Sequence, residues 1–280
     1  MKKFLLTVLC VVAISCNKSS CPWKTGAQTY TFRLFSLMEA LDKTQSLGLQ
    51  YAEVYFGQPL GQGFGDQKMD YKMDKATQAK VLEAAKARNV KIMACGVVAC
   101  DTEQEWEQLF LFAKEMGITL ITTELQQQHL DCVEQLADRY KIDVAIHNHP
   151  KPSAFWNPDV LMKMVEGRSK RLGLCADVGH WKRDGLDPVK VLEKVSSRLI
   201  ALHFKDIRAL EPGEQLSEVY DQNDVIWGTG VCDVPAMIRV LKKNNFTGLM
   251  AIEYENKWEN SVPDIRKSLD MMYQTCQDIK

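Results

Sequence analysis

Short apolar runs alternate with helical stripes along most of the chain. The runs consist largely of Val, Ile, Leu and Ala, the composition of strands that a parallel sheet buries on both faces. The stripes place apolar residues three and four positions apart, as at Val234, Met237, Ile238 and Leu241, and predict helices that pack on such a sheet. The predicted strands cover residues 25–32, 52–56, 90–98, 118–125, 142–147, 172–177, 199–204 and 249–254.

The repeated strand and helix unit predicts a closed (β/α)8 TIM barrel that forms a single domain over residues 25–280. Two helix starts are marked by Asn157-Pro158 and Asp187-Pro188, in which a capping side chain precedes a proline at the first helical position. The alternative is a doubly wound open sheet. The Gly-x-Gly-x-x-Gly motif typical of such sheets does not follow the first predicted strand, so the barrel is favoured.

Composition and charge narrow the classes of protein to consider. The chain has 280 residues, of which 46% are hydrophobic and 25% are charged, so it can bury one large core and shows no sign of disorder or of a fibre. The net charge is −1, and no long run of Lys and Arg occurs. Proteins that hold a nucleic-acid backbone show a basic excess or stripe, so no nucleic-acid partner is expected.

The first residues have the features of an export signal. A basic start is followed by an apolar run, residues 4–14, that is too short to span a membrane. The sequence Ala13-Ile14-Ser15-Cys16 resembles a bacterial lipobox, although Ala13 stands where leucine is usual. The resemblance implies a signal peptide over 1–15, a lipid on Cys16 and a tether over 16–24, which would anchor the protein on the periplasmic side or the surface of the cell envelope. An ordinary secretory peptide is the alternative, and it would change the anchor but not the compartment.

The cysteines do not form a recognisable framework. Of the nine, Cys10 and Cys16 belong to the signal segment, which leaves seven scattered along the chain. An odd, scattered set without a Cys-x-x-Cys pair predicts neither a disulfide framework nor a zinc-binding motif. Cys95 and Cys175 lie within apolar strands, where they are expected to act as small hydrophobic residues.

Acidic and histidine side chains cluster at the carboxyl ends of five predicted strands. Four of the five histidines lie there, and only His129, on a predicted helix, does not. Any one of these residues alone could be a cap or a structural hydrogen-bonding group. Several carboxylates are buried together only with a cation among them, and mixed carboxylate and imidazole donors suit Mn²⁺, Co²⁺, Fe²⁺, Zn²⁺ or, less well, Mg²⁺. The cluster predicts a divalent metal centre, with manganese as the expected ion. Its members are Glu124, His147, His149, Asp177, His180, His203, Lys205, Glu253 and Glu255.

Three motifs carry a resemblance to a known family. Asp177-Val-Gly-His180, His203-Phe-Lys-Asp206 and Ile252-Glu253, in this order, resemble the xylose isomerase-like barrel superfamily of sugar isomerases, sugar epimerases and type-2 AP endonucleases. In the sugar epimerases the metal is held by a Glu on strand five, an Asp on strand six, a His on strand seven and a Glu on strand eight. The resemblance therefore implies that Asp177, His203 and Glu253 are metal ligands and that His180 faces the substrate.

The chain departs from that pattern at strand five. The family's glutamate, which is both ligand and base, is replaced by His147. Glu124 is the candidate for the missing carboxylate ligand, and His147 or His149 is then a base or a direct ligand. His147, His149, His180 and Lys205 are the catalytic candidates, and Glu124, Asp177, His203 and Glu253 are the metal candidates.

Such a site is suited to removing a proton beside a carbonyl, through an enediolate. Isomerisation or epimerisation of a sugar is the first expectation, and elimination or hydration on a 3-keto-sugar or keto-glycoside is the alternative. A non-catalytic sugar-binding lipoprotein is a third possibility. An AP endonuclease is disfavoured, because that branch uses a richer set of histidines and carboxylates for three zinc ions.

The expected substrate is an unphosphorylated sugar. Phosphorylated sugars are not normally held outside the cytoplasm, and the long loop at 207–230 is rich in acidic residues. This loop and the one at 57–71 follow strand ends and are expected to cover the site, with plain surface insertions as the alternative. Trp156, Trp181 and Trp227 are expected to stack on sugar rings.

Overall fold

Eight parallel strands close into a barrel in the computed structural model, which describes residues 21–214 and 223–279. The strands of the described part are β1 (Lys24–Gln28), β2 (Tyr51–Val54), β3 (Lys91–Val98), β4 (Leu120–Thr123), β5 (Asp143–His147), β6 (Leu172–Asp177), β7 (Leu199–Phe204), β8 (Asp206–Ile207), β9 (Asp224–Val225) and β10 (Leu249–Ile252). Their order around the barrel is β1, β10, β7, β6, β5, β4, β3, β2, while β8 and β9 form a separate antiparallel pair. The predicted (β/α)8 architecture is confirmed.

Helices follow the strands and cover the outside of the barrel. Those of the described residues are α1 (Leu37–Ser46), α2 (Lys75–Ala87), α3 (Glu103–Glu115), α4 (Leu130–Tyr140), α5 (Pro158–Met164), α6 (Val178–Arg183), α7 (Pro188–Val195), α8 (Val234–Lys243) and α9 (Val262–Asp278). Asn157 and Asp187 cap α5 and α7, and a proline opens each helix, as the sequence predicts. Within the described ranges, no helix combines the length and the apolar character that crossing a bilayer requires.

The core has two parts. Larger side chains such as Phe110 and Trp106 fill the space between helices and strands. The inside of the barrel is filled by small residues, among them Ala145, Cys175 and Ala201. Cys175 is fully buried there, as expected for a small hydrophobic residue.

The start of the barrel corrects two predictions. Strand β1 ends at Gln28 rather than at residue 32, because the Gln28 side chain accepts the Tyr30 N–H and caps a 3₁₀ turn over Thr29–Phe32. Cys21 forms a disulfide with Cys276 on α9, and Trp23 is buried, so the last part of the predicted tether is fixed to the domain. Residues 1–20, with the predicted signal and Cys16, lie outside the described part of the chain.

The strand register brings the polar strand ends together. Asp177, the last residue of β6, pairs with His203 on β7, and His147, the last residue of β5, pairs with Cys175. Glu253 directly follows β10, whose Ile252 pairs with Phe204. All these positions therefore lie at the carboxyl end of the barrel, where TIM-barrel active sites are built.

Candidate metal centre and active site

Four side chains at the strand ends converge on one point. His147, Asp177, His203 and Glu253 each offer one donor atom, and these atoms lie within 4.8 Å of one another. All four residues are buried. The structure thus brings together Asp177, His203 and Glu253, the three ligands that the family resemblance implies, and it adds His147.

The donor chemistry of this group fits a divalent metal. Both ring nitrogens of His147 are buried without a hydrogen-bond partner, whereas Oδ2 of Asp177 lies 3.0 Å from Nζ of Lys205 and Nδ1 of His203 lies 3.1 Å from Oε2 of Glu253. Burial lowers the pKa of His147 to about 4 in spite of the opposing effect of Asp177, so the ring stays neutral, as a metal ligand must. Two imidazoles and two carboxylates form a set that suits Mn²⁺, Fe²⁺, Co²⁺ or Zn²⁺.

Glu53, which is not among the residues predicted from the sequence, orients His203. It lies on β2, is fully buried, and places Oε2 3.0 Å from Nε2 of His203. A carboxylate that accepts the Nε2 proton leaves Nδ1 for the metal, the usual outer partnership of metal-bound histidines. Thr122 donates a hydrogen bond to the other oxygen of Glu53. The signal in the sequence was an acidic residue within an apolar strand, at Ala52-Glu53-Val54.

Glu124 does not join the group of four, contrary to its prediction as the missing ligand. Strand β4 ends at Thr123, and the Glu124 side chain contacts His149 and Ser153 in the segment after β5. Its Oε1 lies 3.0 Å from Nδ1 of His149 and also accepts hydrogen bonds from the His149 N–H and the Ser153 hydroxyl. Glu124, His147 and His149 form a second, less buried group with donor atoms within 4.8 Å of one another.

The contact with Glu124 fixes the tautomer of His149. A carboxylate only accepts, so Nδ1 of His149 carries a hydrogen and the neutral ring has its lone pair on Nε2. Burial lowers the pKa of His149, but the hydrogen bond and the charge of Glu124 outweigh burial and place the pKa above its usual value. This carboxylate and histidine pair has the arrangement of a general base.

His180 has the opposite tautomer. The guanidinium of Arg183, which only donates, lies 2.9 Å from Nδ1 of His180, so Nδ1 accepts and Nε2 carries the hydrogen. Helix α6 makes this contact possible, because Asp177 caps the helix through the His180 N–H and places residues 180 and 183 one turn apart on one face. Burial, reinforced by the charges of Lys205 and Arg183, outweighs Asp177 and holds the pKa of His180 well below its usual value. His180 is therefore a neutral hydrogen-bond donor.

Lys205 lies among three carboxylates. Its Nζ is 3.0 Å from Asp177 Oδ2 and 2.9 Å from both Glu253 Oε2 and Glu255 Oε2, and its side chain is fully buried. Burial lowers the pKa of Lys205, but these carboxylates outweigh burial and hold the pKa well above its usual value. The geometry is that of a charged partner for the carboxylates rather than of the proton acceptor that a catalytic base must be.

Close packing against Lys205 explains the glycine in the motif Asp177-Val-Gly-His180. A Cβ on Gly179 would lie 2.5 Å from Cγ of Lys205, so only glycine lets the lysine side chain pass beneath α6. This close approach explains why a glycine separates the capping Asp177 from His180.

The loop after β7 is tied to the site by buried charges. Asp224 on β9 lies 2.9 Å from Arg183 Nη2, and both side chains are fully buried. Burial raises the pKa of Asp224 to about 7. Asp206 accepts hydrogen bonds from the N–H groups of Gly228, Gly230 and Cys232 and so fixes the end of the same loop.

A cavity of about 600 Å³ opens beside the metal group. One part of its lining is polar and includes the three histidines His147, His149 and His180, with Glu253 and Glu255. The other part is aromatic and consists of Tyr30, Tyr55, Phe56 and Tyr71. Gln28 and the segment 96–99 complete the lining. The loop at 57–71 thus contributes Tyr71 to the cavity.

The predicted stacking role of the tryptophans is not supported by their positions. Trp181 is fully buried, and Trp227 is 2% exposed, with its ring packed edge-on against Phe204. Trp156 is partly exposed and lies under the ammonium of Lys151, 3.9 Å from the ring centroid. None of the three lines the cavity. The prediction was wrong because Trp181, on α6, and Trp227 turn into the core rather than toward the cavity.

Comparison with known proteins identifies the family. Residues 41–275 match the family described as xylose isomerase-like TIM barrel. The chain belongs to this family. Its resemblance to the family, inferred from the three strand-end motifs, is confirmed.

Individual similar proteins differ in how much of the chain they cover. A solved structure of an uncharacterised protein from Parabacteroides distasonis ATCC 8503 is 39% identical, with a TM-score of 0.74, and the alignment covers 91% of this chain and 100% of that one. The IolI protein with a bound zinc atom shares the fold at 14% identity, with a TM-score of 0.69 and coverage of 91% and 98%. An inosose dehydratase of Clostridium beijerinckii is 27% identical over 135 residues, 45% of each chain. The chain thus spans about half the length of the curated relatives it matches.

Proposed function

We propose that the protein is a divalent-metal-dependent enzyme that removes a proton beside the carbonyl of an unphosphorylated keto-sugar and expels an oxygen substituent one carbon further on. The observation that carries the proposal is the pair of opposite tautomers in one cavity. Glu124 prepares His149 to accept a proton at Nε2, while Arg183 prepares His180 to donate a hydrogen bond from Nε2. The ring centroids of the two histidines are 5.2 Å apart, close enough to engage one sugar ring.

The metal, held by His147, Asp177, His203 and Glu253, would polarise the carbonyl and stabilise the negative charge that develops on its oxygen. His149 Nε2 takes the proton from carbon, and Glu124 stabilises the imidazolium that results. His180 donates a hydrogen bond to the oxygen that gains charge, as a neutral imidazole can. The imidazolium of His149 then gives its proton to the departing oxygen, so that the carbon–hydrogen and carbon–oxygen bonds break and water or an alcohol leaves.

Elimination is favoured over the isomerase or epimerase reaction that the sequence suggested first. Epimerisation in this family uses a glutamate on strand five as a base, and His147 stands there among the metal donors. The remaining base, His149, suffices for an elimination in which one group both accepts and returns the proton. The similarity to an inosose dehydratase over part of the chain supports the same choice.

The charges that line the cavity support a substrate without a phosphate group. No Lys or Arg is among the described residues that line it, whereas a phosphate is normally bound by such groups or by a helix N-terminus. Glu253 and Glu255, which also line the cavity, would repel an anion. The proposal therefore keeps an unphosphorylated sugar as the ligand.

Export with a lipid anchor at Cys16 remains part of the proposal. The disulfide between Cys21 and Cys276, a bond that persists in oxidising compartments outside the cytoplasm, supports export, and the lipobox-like sequence at 13–16 supports the anchor. Expression of the full chain in a bacterial host, followed by fractionation, tests it. The wild-type protein is expected in the membrane fraction, whereas the Cys16→Ser variant is expected in the soluble fraction. Equal membrane association of both forms would contradict the anchor.

Turnover tests the proposed reaction. Manganese-loaded protein is incubated in deuterium oxide with inosose or with methyl 3-keto-β-D-glucoside, and NMR follows deuterium uptake and elimination. His149→Gln is expected to lower the rate by roughly 10²- to 10⁴-fold, the contribution of a positioned base. His129→Gln is the matched control, because His129 is buried outside the cavity and its change is expected to have no comparable effect. Full activity of His149→Gln, or no exchange by metal-loaded wild type, would contradict the proposal.

A further inference from the structure

The aromatic part of the cavity lies across the barrel mouth from the histidines. Tyr30 follows β1, and Tyr55 and Phe56 follow β2, whereas His147 ends β5 and His180 follows β6. In the order of strands around the barrel, β1 is opposite β5 and β2 is opposite β6. A ligand ring seated among the histidines therefore leaves the aromatic side on the far side of the mouth.

The polar side is the right size for one ring. The ring centroids of His147, His149 and His180 are 4.5 to 5.8 Å apart in pairs, so these three imidazoles pack against one another and present one polar patch about as wide as a single sugar ring. The metal donors lie within 4.8 Å of one another in the same place. One keto-sugar ring thus occupies the whole polar side, and the aromatic side is free to bind a further part of the substrate.

The aromatic side is an ordered, uncharged wall. Tyr30 packs edge-on against Tyr55, with ring centroids 5.3 Å apart, and Phe56 packs against Tyr71 at 5.5 Å. Arg33 fixes Tyr30 by a 2.7 Å hydrogen bond to its hydroxyl. These four aromatic residues are only partly buried although they face a cavity, which is a feature of binding clefts.

We propose that Tyr30, Tyr55, Phe56 and Tyr71 form a subsite for a second, uncharged ring linked to the keto-sugar, so that the substrate is a glycoside. This inference rests on the proposed function for the sugar ring itself. Aromatic faces bind both aryl groups and the apolar faces of sugars, so the second ring is an aryl group or another sugar. No Lys, Arg, Asp or Glu belongs to the aromatic part of the described lining, which is why an uncharged ring fits.

Equilibrium binding tests the subsite without turnover. The ligands are methyl β-D-glucopyranoside, phenyl β-D-glucopyranoside and cellobiose, which lack a carbonyl next to the reacting carbon and are not converted. The manganese-loaded full-length protein is titrated with each of these three ligands. The phenyl glucoside or cellobiose is expected to bind about 3- to 10-fold more tightly than the methyl glucoside, the range that an aromatic contact supplies. Which of the two gains more distinguishes an aryl group from a sugar.

Substitutions at two tyrosines, one in the proposed subsite and one outside it, make the test specific. Tyr55→Leu, which removes the flat face but keeps an apolar side chain, is expected to reduce the two-ring preference to less than about twofold, whereas Tyr55→Phe keeps it. Tyr51→Leu is the matched control, because Tyr51 is at the amino end of β2, the strand that Tyr55 follows, and lies outside this cavity. Circular dichroism confirms that each variant is folded.

Two results would overturn the subsite: no tighter binding of either two-ring ligand by the wild type, or a preference that survives in Tyr55→Leu. The outcome is separable from that of the proposed reaction. A two-ring preference with no metal-dependent exchange would refute the reaction alone, whereas exchange without the preference would refute the subsite alone.

Discussion

Arg183 donates a hydrogen bond from Nη1 to Nδ1 of His180 over 2.9 Å. Because arginine has no acceptor, this single contact determines which nitrogen of His180 carries hydrogen. The Nε2 of the same ring is 3.4 Å from Oδ2 of Asp177, at the edge of the metal group. His149, held through Nδ1 by Glu124, presents the opposite tautomer to the same cavity. Two residues of one type thus adopt different tautomers because their partners differ.

The tautomer of His180 is directly measurable. In protein labelled with ¹⁵N-histidine, long-range ¹H–¹⁵N correlation spectra are expected to show Nδ1 of His180 unprotonated and Nε2 protonated. His180→Gln, which keeps a donor but changes its position, identifies the signal and is expected to lower kcat by roughly 10²-fold, as for the loss of one aligned donor. Metal content is expected to be unchanged in this variant. A protonated Nδ1 in the wild type would contradict the hydrogen-bond assignment.

Glu53 is expected to control metal affinity without touching the metal. Glu53→Gln replaces the carboxylate that accepts the hydrogen bond from Nε2 of His203. The affinity for the metal is expected to fall by about 10- to 100-fold, as for other residues that hydrogen-bond to metal-ligating histidines. Competition with a metal-binding dye measures the change. Glu134→Gln is the control, because Glu134 pairs with Arg168 on the outside of the barrel. Equal affinities of Glu53→Gln and wild type would show that Glu53 does not orient His203.

The disulfide is expected to stabilise the barrel where its two ends meet. Cys21 precedes β1 and Cys276 is on α9, so the bond closes a loop that spans nearly the whole described chain. Reduction, or the change Cys276→Ser, is expected to lower the free energy of unfolding by about 2–5 kcal/mol. Cys132→Ser serves as the control, since Cys132 is a half-buried free thiol. Identical denaturant midpoints with and without reductant would rule out the bond.

Much of the fold and part of the site follow from local sequence signals. The apolar runs predict β6 and β7 to the residue, because buried parallel strands are nearly continuous runs of apolar residues. Asp177, His203 and Glu253 are predicted as ligand candidates because strand ends of a barrel converge, and the structure brings their donor atoms together.

The features that could not be predicted from the sequence depend on the directions of side chains and on contacts between residues far apart in the chain. Glu124 and His147 are equivalent candidates in the sequence, and only the position of Glu124 beyond β4, next to Ser153, separates them. The sequence does not distinguish Trp181 and Trp227 as core residues, because whether an aromatic side chain beyond a strand end turns inward depends on distant packing partners, such as Phe204 for Trp227. The disulfide was missed because its two cysteines are 255 positions apart.

The metal content of two matched variants tests the central claim, that His147 and not Glu124 completes the metal centre. Wild-type protein reconstituted with manganese and freed of excess ion is expected to contain about one metal per chain by elemental analysis, the number that one group of four donors holds. His147→Ala is expected to lose most of it and Asp177→Ala all of it, whereas Glu124→Gln retains it. A metal-free wild type, or a Glu124→Gln variant that loses its metal while His147→Ala keeps it, would contradict the account.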